Sequence, residues 1–283
     1  MTTSSPRFVG IDFSGDQKQW NPNAKASNIW IAEVEQRGDY LTVVDLRRVQ
    51  QLAGHVRPFA RLAAWLANGS FSAAAIDAPF SVPWWFFGHV FADHPALLQV
   101  VNGLPLVNKQ DFPTGNAFVT SVSARIPFEF TKPLRITESY WRARSVNVRS
   151  TVWSGQRPGA SFTSACIKLL ANADRQAWPW HGPSTCPLVE AYPAAQLRHW
   201  GLPFQQYNGT AGQRNRVAII HDLTVNRALQ VDNAYLDIMN ADADALDAVI
   251  CTYAARAVTQ NHLSLALPPF NSWQYEGWIA IHD

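Results

Sequence analysis

The sequence predicts an α/β domain, and three observations point there. Short apolar runs bounded by Gly, Pro and Asn alternate with segments of helical periodicity. Of the 283 residues 47% are apolar, enough to bury a substantial core and to argue against disorder over most of the length. Acidic residues stand in or at the ends of several apolar runs, and open α/β sheets place ligands just outside their strand ends.

Each element follows from its local pattern. Arg7 to Phe13 (RFVGIDF) reads as a buried strand entering a turn at Ser14–Gly15. Asn28 to Val34 and Tyr40 to Leu46 follow, with Gly38–Asp39 as the turn signal between them, so the three form an antiparallel meander. Pro58 to Ala67 has helical periodicity, a Pro near its start and a stop at Asn68–Gly69. Ala73 to Ala78 (AAAIDA), closed by Pro79, is a fourth buried strand. From Ser81 to about Pro187 the pattern changes: Val82 to Phe91 is intensely aromatic, Thr137 to Arg149 and Phe162 to Ala173 read as helices, and no strand is evident. The stretch at about 84–185 is therefore expected to be a large, mainly helical and irregular insertion in a single domain spanning residues 1–283. The core resumes with Cys186 to Ala191 as a strand, then a helix over Arg214 to Gln230. A stronger helix spans Ala241 to Val258, with residues 246, 249, 250 and 253 on one apolar face. Tyr275 to Ile281 reads as a short strand-like close.

Composition narrows the function classes. Charged residues are 16% of the chain, below the roughly 25% of an average globular domain. The net charge of +2 neither requires nor excludes a nucleic-acid partner, because a local basic face matters more than the sum. Twelve Trp residues imply large cores or stacking surfaces and suit a homo-oligomer or a protein-binding face. Cys166, Cys186 and Cys251 form no C-x-x-C pair and are odd in number, which disfavours a disulfide framework and a zinc knuckle. Met1 to Pro6 are polar with no apolar stretch behind them, and no run approaches about 18 apolar residues. A cytoplasmic protein with no membrane span is expected. No P-loop, G-x-G-x-x-G or G-x-S-x-G motif occurs, which disfavours a P-loop ATPase, a Rossmann dehydrogenase and an α/β-hydrolase.

The acids carry the chemistry. Asp12 lies in an apolar strand, Asp77 ends another before a Pro, and Glu190 repeats the arrangement. A carboxylate at such a place is unfavourable to bury unless something pairs with it. Asp244 and Asp247, three apart, share one helical face, and the alanines around them make the helix slim enough to approach a sheet. Each acid has a plainer reading alone: a turn for Asp12, a cap or turn for Asp77, an ion pair with an Arg such as Arg198 for Glu190, dipole compensation for Asp244. Their conjunction favours one shared site. Converging carboxylates repel one another, and a divalent cation resolves the repulsion. Oxygen-only ligands favour Mg2+ or Mn2+ over zinc, and two such ions about 4 Å apart serve in-line phosphoryl displacement. Between Arg125 and Arg157, seven basic residues (Arg125, Lys132, Arg135, Arg142, Arg144, Arg149 and Arg157) interleave with Tyr140, Trp141 and Trp153. That segment reads either as a nucleic-acid-binding face or as an amphipathic helix packed through its aromatics. His89 and His94 have no metal spacing, and Trp84–Trp85–Phe86–Phe87 reads as core or subunit interface.

The phrases VGIDFSG (9–15), AIDAPFSVP (75–83), VEAYP (189–193), DALDA (244–248) and EGWI (276–279) resemble a domain-of-unknown-function family of predicted nucleases with a ribonuclease-H-like fold. The resemblance covers roughly residues 7–85 and 186–283. It implies a mixed five-stranded sheet flanked by helices and a Mg2+- or Mn2+-dependent phosphodiesterase. On that resemblance Asp12 takes the first-strand role bridging both metals, Asp77 the fourth-strand role, and Asp247 or Asp244 the role on the closing helix. The catalytic set would be Asp12, Asp77, Glu190 and Asp247, and the metal ligands Asp12, Asp77, Asp244 and Asp247. Glu190 matches the V-E-x-x-P motif but is not a core acid of ribonuclease H. Arg135, Arg142, Arg144 and Arg149 would meet nucleic acid. The rivals are a small-molecule kinase of the related actin-like fold and a non-catalytic scaffold of the same fold.

Overall fold

The computed structural model describes residues 5–24, 27–107, 110–123, 133–156, 158–183, 186–264 and 272–283. Its centre is a mixed sheet. The meander is β1 (Arg7–Asp12), β2 (Trp30–Arg37) and β3 (Tyr40–Arg48), with Gly38 at φ 63° in the turn between the last two, a backbone that favours glycine. After α1 (Pro58–Asn68), β4 (Ala73–Asp77) returns parallel to β1, and β5 (Leu188–Glu190) lies parallel to β4. With β6 (Leu229–Gln230) at the far edge, the strand order is β5-β4-β1-β2-β3-β6.

The sixth strand corrects the expected count of five. Residues 214–230 were expected to be one helix. Instead α7 (Gln213–Val225) stops, Ala228 takes a left-handed backbone (φ 53°), and β6 (Leu229–Gln230) pairs with the free edge of β3. Two paired residues leave too short an alternation for a sequence pattern to mark.

Strand alternation sends successive side chains to opposite faces, and both faces are covered. On one, Phe8, Ala32, Val34 and Ala75 pack with Ala245, Leu246, Ala248 and Val249 of α9 (Ala243–Gln260). On the other, Val9, Ile11, Ala74 and Ile76 pack with Phe59, Leu62 and Leu66 of α1 and with Leu169 and Leu170 of α5 (Ala160–Ala173). The helix α9 lies unusually close to the sheet. A Cβ on Gly10 would sit 2.0 Å from the Ala248 carbonyl oxygen, so only glycine fits beneath it. The small residues of α9 therefore do what their spacing suggested, and they bring its N-terminal turn over the ends of β1 and β4.

The segment at 84–185 holds α2 (His94–Asn102), α3 (Gly115–Ser123), α4 (Ile136–Arg142) and α5, with a core of its own around Phe86, Leu97, Phe118 and Ile167. It is not merely an appendage, because α5 also forms one layer of the main core. The helix expected over 137–149 ends at Arg142. Ser145 turns left-handed (φ 67°), and the chain runs on irregularly to Ser150. The expected closing strand is likewise absent. Residues 273–276 form α10 (Trp273–Glu276) and the chain then runs irregularly to an isolated bridge at His282. The remaining helices are α6 (Pro193–His199) and α8 (Asn233–Ala241). Among the described residues no helix is long and apolar enough to cross a membrane.

Candidate functional site

Asp12 and Asp77 are the last residues of two adjacent parallel strands and are direct register partners. Alternation puts both on the α9 side: Phe8, Gly10 and Asp12 share that face of β1, as Ala73, Ala75 and Asp77 do on β4. Above them, α9 begins. Asp242 caps it by accepting from the Asp244 backbone N–H (3.1 Å), and it also accepts from Trp30 Nε1 (3.0 Å) and Arg48 (3.2 Å). Those bonds make Asp242 structural and fix the first turn, which carries Asp244. One turn further, Asp247 accepts the Tyr207 hydroxyl, whose oxygen lies 3.0 and 3.1 Å from its two carboxylate oxygens. Among the described residues, no donor reaches the carboxylates of Asp12, Asp77 or Asp244.

Burial without partners disfavours the charged forms. Asp12 is pushed well above the usual carboxylate range by burial, then by the charges of Asp244, Asp247 and Asp77. Burial lifts Asp77 to about 7, and Arg149 partly opposes it. Burial and Asp242 lift Asp244 to about 6. Burial, with the charge of Asp77, lifts Asp247 although the Tyr207 bond works the other way. The four acids form one mutually repelling set.

Glu190 stands apart from that set by its face of the sheet and its partners, although its charge also raises Asp77. Its register partner is Ile76, on the opposite face from Asp77. There its carboxylate meets both terminal nitrogens of Arg135, one at 2.8 Å, and the Phe80 N–H at 3.0 Å. Arg135 also bonds Glu138 (2.7 Å) and the Glu276 carbonyl (2.8 Å). The nucleic-acid role expected of Arg135 is thereby corrected. The residue has 0% exposure and its guanidinium is consumed by internal partners. Glu190 has its Arg partner, though not Arg198. Arg142 and Arg144 are exposed but do not line the acidic cavity, and Arg144 folds over the Tyr140 ring at 3.4 Å. Arg149 is exposed and does line it. Arg125, Lys132 and Arg157 lie outside the described residues.

The cavity holds about 320 Å3 and is bounded by Asp12, Asp77, Asp244 and Glu190, by three carboxamides and by aromatic rings. Part of its wall comes from the inserted segment, through Asn147, Val148, Arg149, Gly159 and Phe162. The Ser14–Gly15 turn after Asp12 makes that possible. A Cβ on Gly15 would lie 2.5 Å from the Phe162 backbone nitrogen, so the N-terminus of α5 abuts the turn directly.

As an oxygen-only set, the acids suit a hard divalent cation. Mg2+ is commonly held by one or two carboxylates with water completing its shell, so the Asp12–Asp77 pair is sufficient in kind. No three of these carboxylates bring oxygens within 4.8 Å of one another. Among the described residues, only His262, His282 and Asp283 offer three ligand atoms that close. That group lies beyond the far half of α9, against Tyr253. Its Asp283 side chain is 63% exposed, and His282 Nδ1 already bonds the Asp283 carbonyl oxygen at 2.7 Å. Sequence reading missed this group, and it missed Tyr207 and the Arg135 cluster, whose partners lie 40 and 55 residues away. His94 is a core residue stacked 3.6 Å from Trp180. Of the aromatic quartet, Phe86 and Phe87 are buried and Trp84 is exposed.

A family model described as a protein of unknown function (DUF429) matches residues 26–270. The matched stretch includes Asp77, Glu190, Asp244 and Asp247 but begins after Asp12. No curated protein and no solved structure matches the chain.

Proposed function

The chain belongs to the family described as a protein of unknown function, DUF429, and from that premise we propose that it is a metal-dependent phosphodiester hydrolase, a nuclease of ribonuclease-H-like fold. The observation that carries the proposal is the pair Asp12, buried, and Asp77, half-buried: side by side on parallel strands, and without a donor among the described residues. A scaffold would be expected to fill such a place with Arg or Lys, as this chain does at Glu190. The topology supports the same reading. Only β2 runs against the other strands, and acids stand on the first strand, the fourth strand and the helix that covers them.

Asp12 and Asp77 would hold Mg2+ or Mn2+, with Asp244 on the cavity wall and Asp247 one turn further along α9, outside the lining residues. The bound cation would polarise a phosphoryl oxygen and lower the pKa of a water. Tyr207 orients Asp247 through its hydroxyl. Arg149, facing the acids across the cavity, meets a phosphate oxygen of the substrate. Glu190 holds Arg135 and thereby the wall of the site, a positioning role rather than the catalytic one expected.

Thermal melting tests the reading. A cation that binds only the folded state raises the melting temperature. Mn2+ is expected to stabilise the wild type by several degrees and to leave Asp12→Asn unchanged. Equal shifts in both proteins would remove Asp12 from the site and overturn the assignment.

A further inference from the structure

The acidic site is a partly open cavity, and its size and charge bear on what it accepts. It holds about 320 Å3, near the lower end of the roughly 300–1,000 Å3 of small-molecule pockets. The inserted segment walls it, tied down where the Tyr192 hydroxyl donates to the Asn147 carbonyl at 2.8 Å.

Its charge is local. Proteins that track a nucleic-acid backbone present a run of cations along it. Among the described residues two Arg line the cavity; Arg135 is consumed by buried carboxylates, which leaves Arg149. The Arg149 guanidinium lies 5.2 Å from the Phe162 ring centroid, a pairing that presents one charge beside one aromatic face. Arg142 and Arg144 do not line the cavity. Asn28, Asn147 and Asn208 also line the cavity, and the Asn28 Oδ1 is buried with no partner among the described residues. Carboxamides suit the edges of a base or the hydroxyls of a sugar.

We infer that the site accepts a single nucleotide unit, the end of a strand or a nucleotide-sized phosphodiester, and does not act within a continuous strand. The inference rests on the phosphodiesterase reading and adds the substrate class to it. In the step itself the oxygen of a water adds to phosphorus, one P–O ester bond breaks, and the leaving oxygen takes a proton. The products are a nucleoside monophosphate and a strand shorter by one unit.

The test uses Mn2+ and three substrates: the p-nitrophenyl ester of thymidine 5′-monophosphate, a linear single-stranded DNA, and the same DNA closed into a circle. Hydrolysis of the ester, stepwise release of mononucleotides from the linear strand, and at least a 100-fold slower attack on the circle are expected. Titration calorimetry with thymidine 5′-monophosphate is expected to give saturable binding, weakened at least tenfold by Arg149→Ala. Cleavage of the circle at the rate of the linear strand overturns the inference and keeps the phosphodiesterase reading. Saturable, Arg149-dependent binding without hydrolysis of any substrate keeps the nucleotide-sized site and overturns the phosphodiesterase reading. Neither binding nor hydrolysis overturns both.

Discussion

A buried carboxylate needs a donor, a cation or a proton, and the acids here divide by which they have. Glu190 has Arg135. Asp242 has Trp30, Arg48 and a backbone amide. Asp247 has Tyr207 alone, while Asp12 and Asp77 have nothing among the described residues. Tyr207 is thus the side chain that orients Asp247, and its hydroxyl would be the first support a cation at that acid relies on. Tyr207→Phe is expected to cost on the order of 1–2 kcal/mol of stability in urea unfolding. It should also weaken Mn2+ affinity about 10-fold or more by calorimetry. An unchanged affinity would mean that Asp247 lies outside the cation site. The acids were legible as residue types in apolar runs. Their partners were not, because Tyr207 precedes Asp247 by 40 residues and no local pattern links them.

Two contacts between elements set the geometry of the site. The first is α9 on β1 at Gly10. Gly10→Ala would drive a methyl group into the Ala248 carbonyl and push α9 outward. A loss of about 1–3 kcal/mol is expected in chemical denaturation. Asp244 and Asp247 would move with the helix, so Mn2+ stabilisation should fall as well, although no acid has changed. The second contact is the buried cluster of Arg135, Glu138, Glu190 and Glu276, which joins α4, β5 and α10. Glu276 accepts from the backbone N–H groups of Ile136 (2.7 Å) and Trp84 (3.0 Å), one at the foot of α4 and the other near the start of the inserted segment. Breaking one member of a buried ion cluster leaves an uncompensated charge. Glu190→Gln is therefore expected to lose about 3–5 kcal/mol. Limited proteolysis should then cut first within residues 84–185, where the released wall segment lies. Cutting elsewhere, or an unchanged stability, would show that the cluster does not anchor the segment. The helices themselves were legible where an apolar stripe is long, as in α1, α5 and α9. They were misjudged where a left-handed residue ends the helix early, at Ser145 and before β6.

The whole molecule carries an electrostatic load that pH should reveal. Burial lifts Asp77 and Glu276 to about 7 and Asp244 to about 6, against about 4 in the unfolded chain. Between about pH 4 and pH 7 these acids therefore bind more protons in the folded protein than in the unfolded one, opposed in part by His94 and His282, which burial lowers to about 4. Stability must be greatest at the acidic end of that window and fall as pH rises through it. In a chelator, the melting temperature is expected to drop by about 5 °C or more from pH 5 to pH 8. Mn2+ should flatten that slope, because it favours the ionised forms of Asp77 and Asp244 and leaves Glu276 alone. A melting temperature that rises over the same range without metal would contradict the load assigned to these acids.

By itself, the sequence determined the α/β class, the meander, the two strands that follow it and the acids worth watching. These depend on local alternation, helical periodicity and turn residues, which act over a few neighbours. Tertiary structure alone decided which acids meet. The period of two sends Asp12 and Asp77 to the face of α9 and Glu190 to the other. Only the register between strands far apart in sequence turns that parity into a shared cavity for the first pair and an ion cluster for the third. Tertiary packing also gave the inserted segment its place as a wall of the site, because Gly15 lets α5 abut the turn that follows Asp12, a contact spanning nearly 150 residues of chain.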